Sequence, residues 1–323
     1  MQQSNSGSAR GFLVCTIPEM RLRRAGREEL EMRRFLTVTA VFALVCMCGM
    51  ARADEVIIPR GGDIVNISNG GVFRVWAHDN STTNVSGGTF EDIRTFEHST
   101  ANIYAGAGNT LESADYSTIN VSGGVYQNAS SWDSSILNIT GGQMNTVMGR
   151  ENATVNISGG SISYFECQQY PEYPQYTFGS ITVNISGGSV GVAGIYGGNT
   201  LNITGGHIDA WLENYGIVNM SGGGCGHIVA AGDSRLVFYG SDFVVSDGVL
   251  NGIWHDGTPF SQLLSVRDNA TVFVSSSTIW DATAQQVYIP GPSGGNGEVP
   301  EPMSVLLAAG GLVSLWGMRR RRA

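Results

Sequence analysis

Lysine is absent from the chain, and arginine is rare in its central part. Between Asp54 and Glu298 there are 6 arginines against 22 aspartates and glutamates, which leaves a net charge of −16. A protein that binds nucleic acid needs a basic face to contact the phosphates. The composition therefore excludes nucleic acid as an expected partner.

Metal-binding spacings are also lacking. None of the five histidines belongs to an H-x-x-x-H pair. The calcium-binding nonapeptide of solenoids requires repeated Gly-Gly-x-Gly-x-Asp, and the chain offers only the partial match GGNGEVP. We expect no cofactor and no metal site beyond the weak, unspecific calcium binding that an acidic edge permits.

The N-terminal part has the pattern of a leader. Residues 1–31 are rich in Arg and Glu, and MRRFLTVTAVFALVCMCGMARADE then begins at Met32. A basic start, an apolar run and small residues at Ala51 and Ala53 indicate a secretory signal that is cleaved after Ala53. We therefore expect translation to start at Met32, which makes residues 1–31 a mis-assigned extension. A lipoprotein signal through Cys46 is the weaker alternative, because the residue before it is not small.

The C-terminal part combines three signals in order. They are the motif Pro300-Glu301-Pro302, the largely apolar residues Met303–Met318, and the cluster Arg319, Arg320, Arg321 and Arg322. Sixteen helical residues would measure about 24 Å, which is short of the roughly 30 Å of a hydrocarbon core, so the helix would cross only a thin or locally pinched bilayer. The arginines are expected to stay cytoplasmic and to place the preceding chain outside.

This tail resembles the PEP-CTERM sorting signal of Gram-negative and related bacteria, with motif, helix and arginine cluster all present. The resemblance covers only the C-terminal end of the chain, from the motif to the last arginines. It implies that an exosortase-type membrane transpeptidase recognises Pro300-Glu301-Pro302 and removes a transient inner-membrane anchor, after signal peptidase has removed the leader. An ordinary tail anchor is the alternative interpretation of the same residues.

One short phrase recurs along the rest of the chain. Copies such as VNISGGSI, INVSGGVY and LNITGGQM each centre on an asparagine. The nine asparagines are Asn66, Asn84, Asn102, Asn120, Asn138, Asn156, Asn184, Asn202 and Asn219. Five successive steps are 18 residues, the next is 28, and the last two are 18 and 17. A short and nearly constant period of this kind is typical of a stacked solenoid.

Within each copy, apolar and polar residues alternate around the asparagine. The residues just before and after it are apolar in most copies, as Val155 and Ile157 are. A period of two places these side chains on one face and the Asn, Ser and Thr side chains on the other. Stacking then buries the apolar face and allows the asparagines to form a structural ladder linked by their amides.

A glycine follows every asparagine by four residues, from Gly70 to Gly223. A position without any side chain in nine copies indicates a corner with positive φ or backbone crowding. Apolar residues return six and nine residues after the asparagine, Ile162 and Phe165 in one copy and Trp211 at the second place of another. We therefore predict a second short strand after the corner, with these apolar side chains pointing inward.

These patterns predict an all-β protein, a single-stranded parallel β-helix of about 18 residues per coil. A right-handed helix is favoured, because a left-handed one needs inward aliphatic residues every six positions. The position seven after the asparagine is instead polar, as in Glu91, Gln127, Asn145, Ser163 and Asp209. The stack is predicted to continue through Val237, 18 residues after Asn219, and Phe273, 36 residues further.

The predicted organisation has six parts. They are the extension 1–31, the signal peptide 32–53, the β-helix repeats 54–235, degenerate or capping rungs 236–290, a Gly/Pro linker 291–299, and the sorting signal with its transmembrane helix 300–323. Cys167 and Cys225 fall three rungs apart, about 14 Å at about 4.8 Å per rung, which is too far for a disulfide. We expect two free thiols, one of them buried.

The step of 28 adds 10 residues to one coil, around Glu166–Phe178. Tyr170, Tyr173 and Tyr176 lie in this insertion together with two prolines. Loops that extend from a solenoid often carry function, and aromatic faces suit sugars, so the tyrosines form a candidate ligand loop. A surface insertion without any ligand is the alternative.

Catalytic groups are sparse. Polysaccharide-cleaving β-helices gather acids with Arg or Lys on adjacent rungs, whereas this chain has no Lys and an Arg only every few rungs. Glu97 and Asp115 lie one repeat apart and are the nearest approach to a catalytic carboxylate pair. Stacked acids of this kind also occur on a solvated edge, and we predict no catalytic residue.

The sequence thus predicts an exported, non-enzymatic β-solenoid with a structural or adhesive role at the cell surface or in the extracellular matrix. Repeat-rich proteins with this sorting tail are similar in layout to the passenger regions of autotransporters, which supports the same expectation. The alternative is a β-helix that binds or degrades surface polysaccharide, with its site at the tyrosine loop or on stacked carboxylates.

Overall fold

The computed structural model describes residues 56–69, 71, 74–167, 180–277 and 284–289. All of the regular elements in these ranges are β-strands. The first are β1 (Val56–Ile57), β2 (Ile64–Ile67), β3 (Arg74–Ala77), β4 (Thr82–Val85), β5 (Thr89–Thr95), β6 (Thr100–Ile103), β7 (Ala107–Ser113), β8 (Thr118–Val121), β9 (Val125–Ser131), β10 (Ile136–Ile139) and β11 (Gln143–Gly149). The others are β12 (Thr154–Cys167), β13 (Thr182–Ile195), β14 (Thr200–Asn214), β15 (Ile217–Met220), β16 (Gly224–Cys225), β17 (Ile228–Ala230), β18 (Arg235–Ser246), β19 (Val249–Trp254), β20 (Pro259–Val266), β21 (Thr271–Ser275) and β22 (Gln285–Val287).

Two columns of parallel strands build a β-solenoid. The first column stacks β2, β4, β6, β8, β10 and β12, and the second stacks β1, β3, β5, β7, β9, β11 and β12. From β12 to β14 a single long strand serves both columns. The prediction of an all-β parallel solenoid of about 18 residues per coil is confirmed, with about nine turns.

The register follows the repeat. Each asparagine pairs with the asparagine of the next coil, beginning with Asn66 opposite Asn84. Across the 28-residue step Asn156 lies opposite Asn184, so the register of the first column is the same before and after this step. Val237 then lies opposite Asn219, and Phe273 lies opposite Val237. The spacing of the sequence therefore predicts the pairing of the first column.

The core lies between the columns and consists of the inward residues of every coil. Val155 and Ile157 are buried on either side of the outward Asn156. A Cβ on Gly108 would lie 2.1 Å from the Phe90 ring. Phe90 and Tyr126 stack with 5.8 Å between ring centroids, so large rings in the neighbouring coils occupy the space that this glycine leaves.

The prediction that Trp211 points inward is wrong. Its side chain is 46% exposed, and Leu212 is buried in its place. The register between β13 and β14 shifts between Val190 and Val192, and Val192 then lies opposite Trp211. One extra residue in β14 makes a β-bulge, and such an insertion turns the following side chains to the other face.

Most corners use two glycines for two different reasons. The glycine four residues after the asparagine has positive φ, from 70° to 118° between Gly88 and Gly223. The glycine before it is crowded: a Cβ on Gly141 would lie 2.3 Å from the carbonyl oxygen of Ser122 in the preceding coil. Gly159 and Gly187 meet the same obstacle at 2.2 and 2.3 Å. Both explanations offered for the corner are therefore correct, each at its own position.

Residues 240–263 depart from the parallel pattern. The end of β18 pairs antiparallel with β19, and β19 pairs antiparallel with β20. The last residues of β20 then rejoin the second column opposite β17. β21 adds one more parallel strand to the first column, and β22 pairs antiparallel with β21. The excursion is therefore inserted within a coil, and a further coil lies beyond it.

Candidate functional site

A ladder of side-chain amides runs along the outer side of the first column. From Asn84 onward, the Nδ2 atom of each repeat asparagine donates to the Oδ1 atom of the asparagine in the preceding coil, at 2.8–2.9 Å. The eight bonds join all nine predicted ladder residues, and they continue across the 28-residue step from Asn184 to Asn156. We call this array the amide ladder.

A second array occupies the corners that precede β4, β6, β8, β10 and β12. Asp79, Glu97, Asp115, Asp133 and Glu151 stand one coil apart and share a left-handed backbone with φ of 54–59°. We call these five residues the carboxylate ladder. The Glu97 carboxylate accepts the main-chain N–H of Asp79 at 2.5 Å, and the Asp115 carboxylate accepts that of Glu97 at 3.1 Å. Each of these carboxylates thus binds the corner of the coil before it.

The carboxylates of the candidate pair Glu97 and Asp115 stabilise the corners by hydrogen bonding. Both carboxylates are engaged with main-chain N–H groups of neighbouring corners. At the end of the ladder, a side-chain hydrogen bond with Asp133 raises the pKa of Glu151 to about 7, with burial and the Asp133 charge adding to the effect and Arg150 opposing it. The Glu151 carboxyl therefore keeps its proton to a higher pH than an isolated glutamate does.

Buried serines line the inside of the same corners. The Ser99 hydroxyl donates to the carbonyl oxygen of Ala77 at 3.0 Å and accepts the main-chain N–H of Phe96 at 3.1 Å. Ser117 makes the equivalent contacts one coil later. From the sequence, the polar stretches that contain these serines, EHST and DYST, are expected only to close the coil. The recurrence of serine one repeat apart was the signal that would have identified these side chains as inward-facing.

Aromatic and acidic side chains gather in the coils that precede and follow the insertion in the sequence. We call this group the tyrosine cluster: Tyr164, Glu166, Tyr196, Glu213 and Tyr215. Tyr196 and Tyr215 stack with 5.4 Å between centroids, and the Tyr196 hydroxyl donates to Glu213 Oε2 at 3.2 Å. Burial, followed by the charge of Glu213, raises the pKa of Tyr196 above its usual value. Burial, followed by the charge of Glu166, likewise raises the pKa of Tyr164. These two hydroxyls are therefore protonated donors at neutral pH.

The cluster adjoins the predicted ligand loop along the chain. β12 contributes Tyr164 and Glu166 and ends at Cys167, just before the insertion. Tyr170, Tyr173 and Tyr176 themselves lie outside the described residues. Phenolic hydroxyls, carboxylates and aromatic ring faces together suit the hydroxyls and the C–H faces of a sugar. Sequence patterns did not reveal this cluster, because its members come from three different coils.

Cysteine and metal chemistry find little support in the described part of the chain. Cys167 and Cys225 are free and both are buried, so the expectation that only one is buried is wrong. Burial raises the pKa of both thiols, that of Cys225 to about 12, and a thiol that stays protonated is a poor nucleophile. Within the described residues, no three His, Cys, Asp or Glu side chains form a group that suits a metal ion.

The predicted processing residues lie outside the described ranges. These are the cleavage residues Ala51 and Ala53, the motif Pro300-Glu301-Pro302, and Arg319, Arg320, Arg321 and Arg322. Among the residues that are described, no helix is long and apolar enough to cross a membrane. The sorting signal therefore remains a prediction from the sequence.

The fold and these arrays define the class of the protein as a parallel β-solenoid with stacked polar ladders. No family model, no curated protein and no solved structure matches the chain. Its function is therefore inferred from its own residues.

Proposed function

We propose that this protein is an exported, non-enzymatic β-solenoid that serves as a structural or adhesive element at the cell surface or in the extracellular matrix. The observation that carries the proposal is the continuous amide ladder of eight hydrogen bonds through nine coils. Such a ladder uses the outward side chain of every coil for cohesion of the stack.

The carboxylate ladder supports the non-enzymatic part of the proposal. Two of its acids, Glu97 and Asp115, accept main-chain N–H groups at left-handed corners. A general acid or base must instead be free to exchange its proton with a substrate. The two buried thiols are equally unsuited to nucleophilic attack.

Export and sorting belong to the same proposal. Signal peptidase would cut after Ala53, and an exosortase-type transpeptidase would act at Pro300-Glu301-Pro302 and release the protein from the inner membrane. The right-handed sense of the helix is also proposed, on the polar character of the position seven residues after each asparagine. Glu91, Asn145 and Asp209 at this position are exposed, which supports that sense.

The sorting motif can be tested in a host that carries the transpeptidase. Changing Pro300-Glu301-Pro302 to three alanines is expected to leave the unprocessed chain in the membrane fraction, whereas the parent chain is cut and leaves it. A matched control replaces Gly291, Pro292 and Ser293 of the preceding linker by alanine and should be processed normally. Unchanged processing of the triple-alanine motif variant would remove the sorting proposal.

Binding of surface polysaccharide is the second candidate, and the tyrosine cluster favours it. A glycan array probed with the full chain tests it directly. Tight binding or cleavage of a polysaccharide, with loss in a Tyr196→Ala variant and retention in a Tyr104→Ala variant, would establish a carbohydrate site and refute the purely structural proposal. Tyr104 is an exposed tyrosine that directly follows β6, several coils before the tyrosine cluster.

A further inference from the structure

One face of the solenoid carries no charged side chain over nine coils. It consists of the asparagine of each coil and the outward residues two positions before and two positions after it. The members are Ile64, Asn66 and Ser68; Thr82, Asn84 and Ser86; Thr100, Asn102 and Tyr104; Thr118, Asn120 and Ser122; Ile136, Asn138 and Thr140; Thr154, Asn156 and Ser158; Thr182, Asn184 and Ser186; Thr200, Asn202 and Thr204; and Ile217, Asn219 and Ser221. All of them are exposed or half-buried. We call this surface the uncharged face.

The absence of charge here contrasts with the rest of the segment, whose net charge is −16 between Asp54 and Glu298. The acids and arginines lie elsewhere, for example in the carboxylate ladder and in the ion pairs Arg74–Glu91 and Arg94–Asp92 on the outer side of the second column. Two copies of so acidic a chain repel each other through most of their surfaces. At the uncharged face they can meet without that repulsion.

The hydrogen-bonding capacity of this face is complementary to itself. A side-chain amide has two N–H donors and an oxygen with two acceptor sites. Inside the ladder Asn138 uses one donor toward Asn120 and one acceptor site toward Asn156. It therefore keeps one donor and one acceptor for a partner. The Ser122 and Thr140 hydroxyls donate to main-chain carbonyls of the preceding coil, which leaves their oxygens as acceptors.

The spacing along the face also favours a second copy. Neighbouring coils repeat at about 4.8 Å, the separation of hydrogen-bonded strands. Only a partner with the same repeat can match such an array coil by coil. Another copy of this chain necessarily has that repeat. A partner of different period would fall out of step within a few coils.

Apolar side chains interrupt the polar rows where a partner would cover them. Ile64 is 69% exposed, Tyr104 56% and Ile136 38%. In the tenth coil the face ends, because Val237 at the asparagine position is buried. The available surface is therefore bounded and contains apolar area whose burial would favour association.

The size of the face is adequate for a specific dimer. Nine coils at about 4.8 Å each cover about 43 Å, and five strand residues at about 3.3 Å each cover about 17 Å. One copy would thus bury roughly 730 Å² and a pair roughly 1,460 Å², which lies within the range of specific interfaces of about 1,200–2,000 Å².

We propose that two copies of this chain pack side by side through the uncharged face. Each face places amides, hydroxyls and a few apolar side chains against the same groups of its partner. The pairing does not depend on the sorting signal or on any polysaccharide.

The test is the mass of the full chain, purified in a mild detergent, measured by size-exclusion chromatography with light scattering over a range of protein concentration. The parent chain is expected to dimerise. Thr140→Glu, at the centre of the face, places an unpaired charge in the interface and should raise the dissociation constant by at least about tenfold. Thr140→Gln has similar bulk without charge and should change it by less than about threefold, because its amide can hydrogen-bond to the polar groups of the partner.

Ser161→Glu is the matched control. Ser161 is exposed on the second column, so this substitution adds the same charge away from the uncharged face. It should dimerise like the parent chain. A monomeric parent chain would overturn the proposal, and so would a dimer that survives Thr140→Glu, since that dimer forms elsewhere. A monomer that binds insoluble cellulose through the face, with loss in Thr140→Glu, would replace the second copy by a neutral polymer and also overturn it.

Discussion

Left-handed corners decide which side chains the coils accept at single positions. Among the residues that the structure describes, eight non-glycine residues have φ of 51–59°, and every one of these is Asp or Glu. Asp tolerates this backbone region better than most residues, whereas Glu has no such preference. Glu97 stands there because its carboxylate accepts the N–H of Asp79 in the neighbouring corner. The hydrogen bond between coils offsets the strain that the single residue would otherwise carry.

Glu151 predicts a dependence of stability on pH. Its pKa lies at about 7 in the folded chain and near 4.5 when unperturbed. Between these values the folded state holds a proton that the unfolded chain has lost. The stabilisation is therefore complete below about pH 4.5 and is lost as the pH rises to about 7. Because the side chain is partly exposed to solvent, we expect a free-energy change of only about 0.5 kcal/mol.

Thermal unfolding across this pH range checks the prediction. Glu151→Gln keeps a hydrogen-bonding partner for Asp133 without a charge, so it should match the parent chain in acid and exceed its stability above about pH 7. Asp242→Asn removes one charge at another left-handed corner, where the carboxylate accepts from Ser241 instead. If both variants change the pH profile equally, net charge and not the proton on Glu151 is responsible.

The corner glycines predict a strong effect of a single methyl group. Gly160 has φ of +84°, and a Cβ on it would lie 2.8 Å from the carbonyl oxygen of Gly142. Gly160→Ala is therefore expected to lower the free energy of unfolding by about 2–3 kcal/mol. Gly198→Ala is the control, since nothing lies within 4 Å of its Cβ position. Denaturant melts in which the two variants are equally stable would contradict this account of the corner.

Strands combine through side chains as well as through their backbones. In the first column each asparagine inside the ladder takes part in two amide bonds, whereas Asn66 at its start takes part in one. A partly buried hydrogen bond contributes about 0.5–1.5 kcal/mol. The amide ladder therefore adds cohesion that grows with the number of coils.

Asn138→Ala breaks two bonds of the ladder and should lower the free energy of unfolding by about 2 kcal/mol. Asn66→Ala breaks one exposed bond at the end and should cost about half as much or less. Equilibrium denaturation of both variants makes the comparison. Equal losses at the centre and at the end would mean that the amide bonds do not determine the effect.

Elements with a simple repeat are predictable, and elements with an irregularity are not. The pairing of Asn219 with Val237 follows from counting one repeat along the chain. The same count fails at Trp211, because one extra residue in β14 turns the Trp211 side chain from the core to the surface. The antiparallel pairing of β19 with β18 and β20 is equally invisible to a rule that assumes parallel stacking.

For the molecule as a whole, the positions of the charges affect the stability of the fold more than the net charge does. The carboxylate ladder stacks like charges at about 4.8 Å, well within the Debye length of about 10 Å at 0.1 M salt. We expect added sodium chloride to stabilise the fold by about 1 kcal/mol, because it screens this repulsion. Thermal unfolding over a salt series measures the effect.

A double variant isolates the ladder from the rest of the charge. Asp115→Asn with Asp133→Asn keeps side chains that tolerate positive φ and can still accept main-chain N–H groups. Its stability should respond less to salt than that of the parent chain. A parent chain that salt destabilises, or a variant with an undiminished salt response, would show that stacked carboxylates are not the source.

By itself the sequence determined the period, the strand that carries each asparagine, and the glycine corners. Stacked coils need equivalent residues at equivalent positions, and these residues therefore recur at a regular spacing in the sequence. The tertiary structure alone decided what happens between coils that differ. It placed both cysteines in the core, turned Trp211 outward and brought Tyr164, Tyr196 and Tyr215 together. These contacts join residues from different coils at positions outside the repeated phrase, where the packing of unlike side chains, and not the period, sets the outcome.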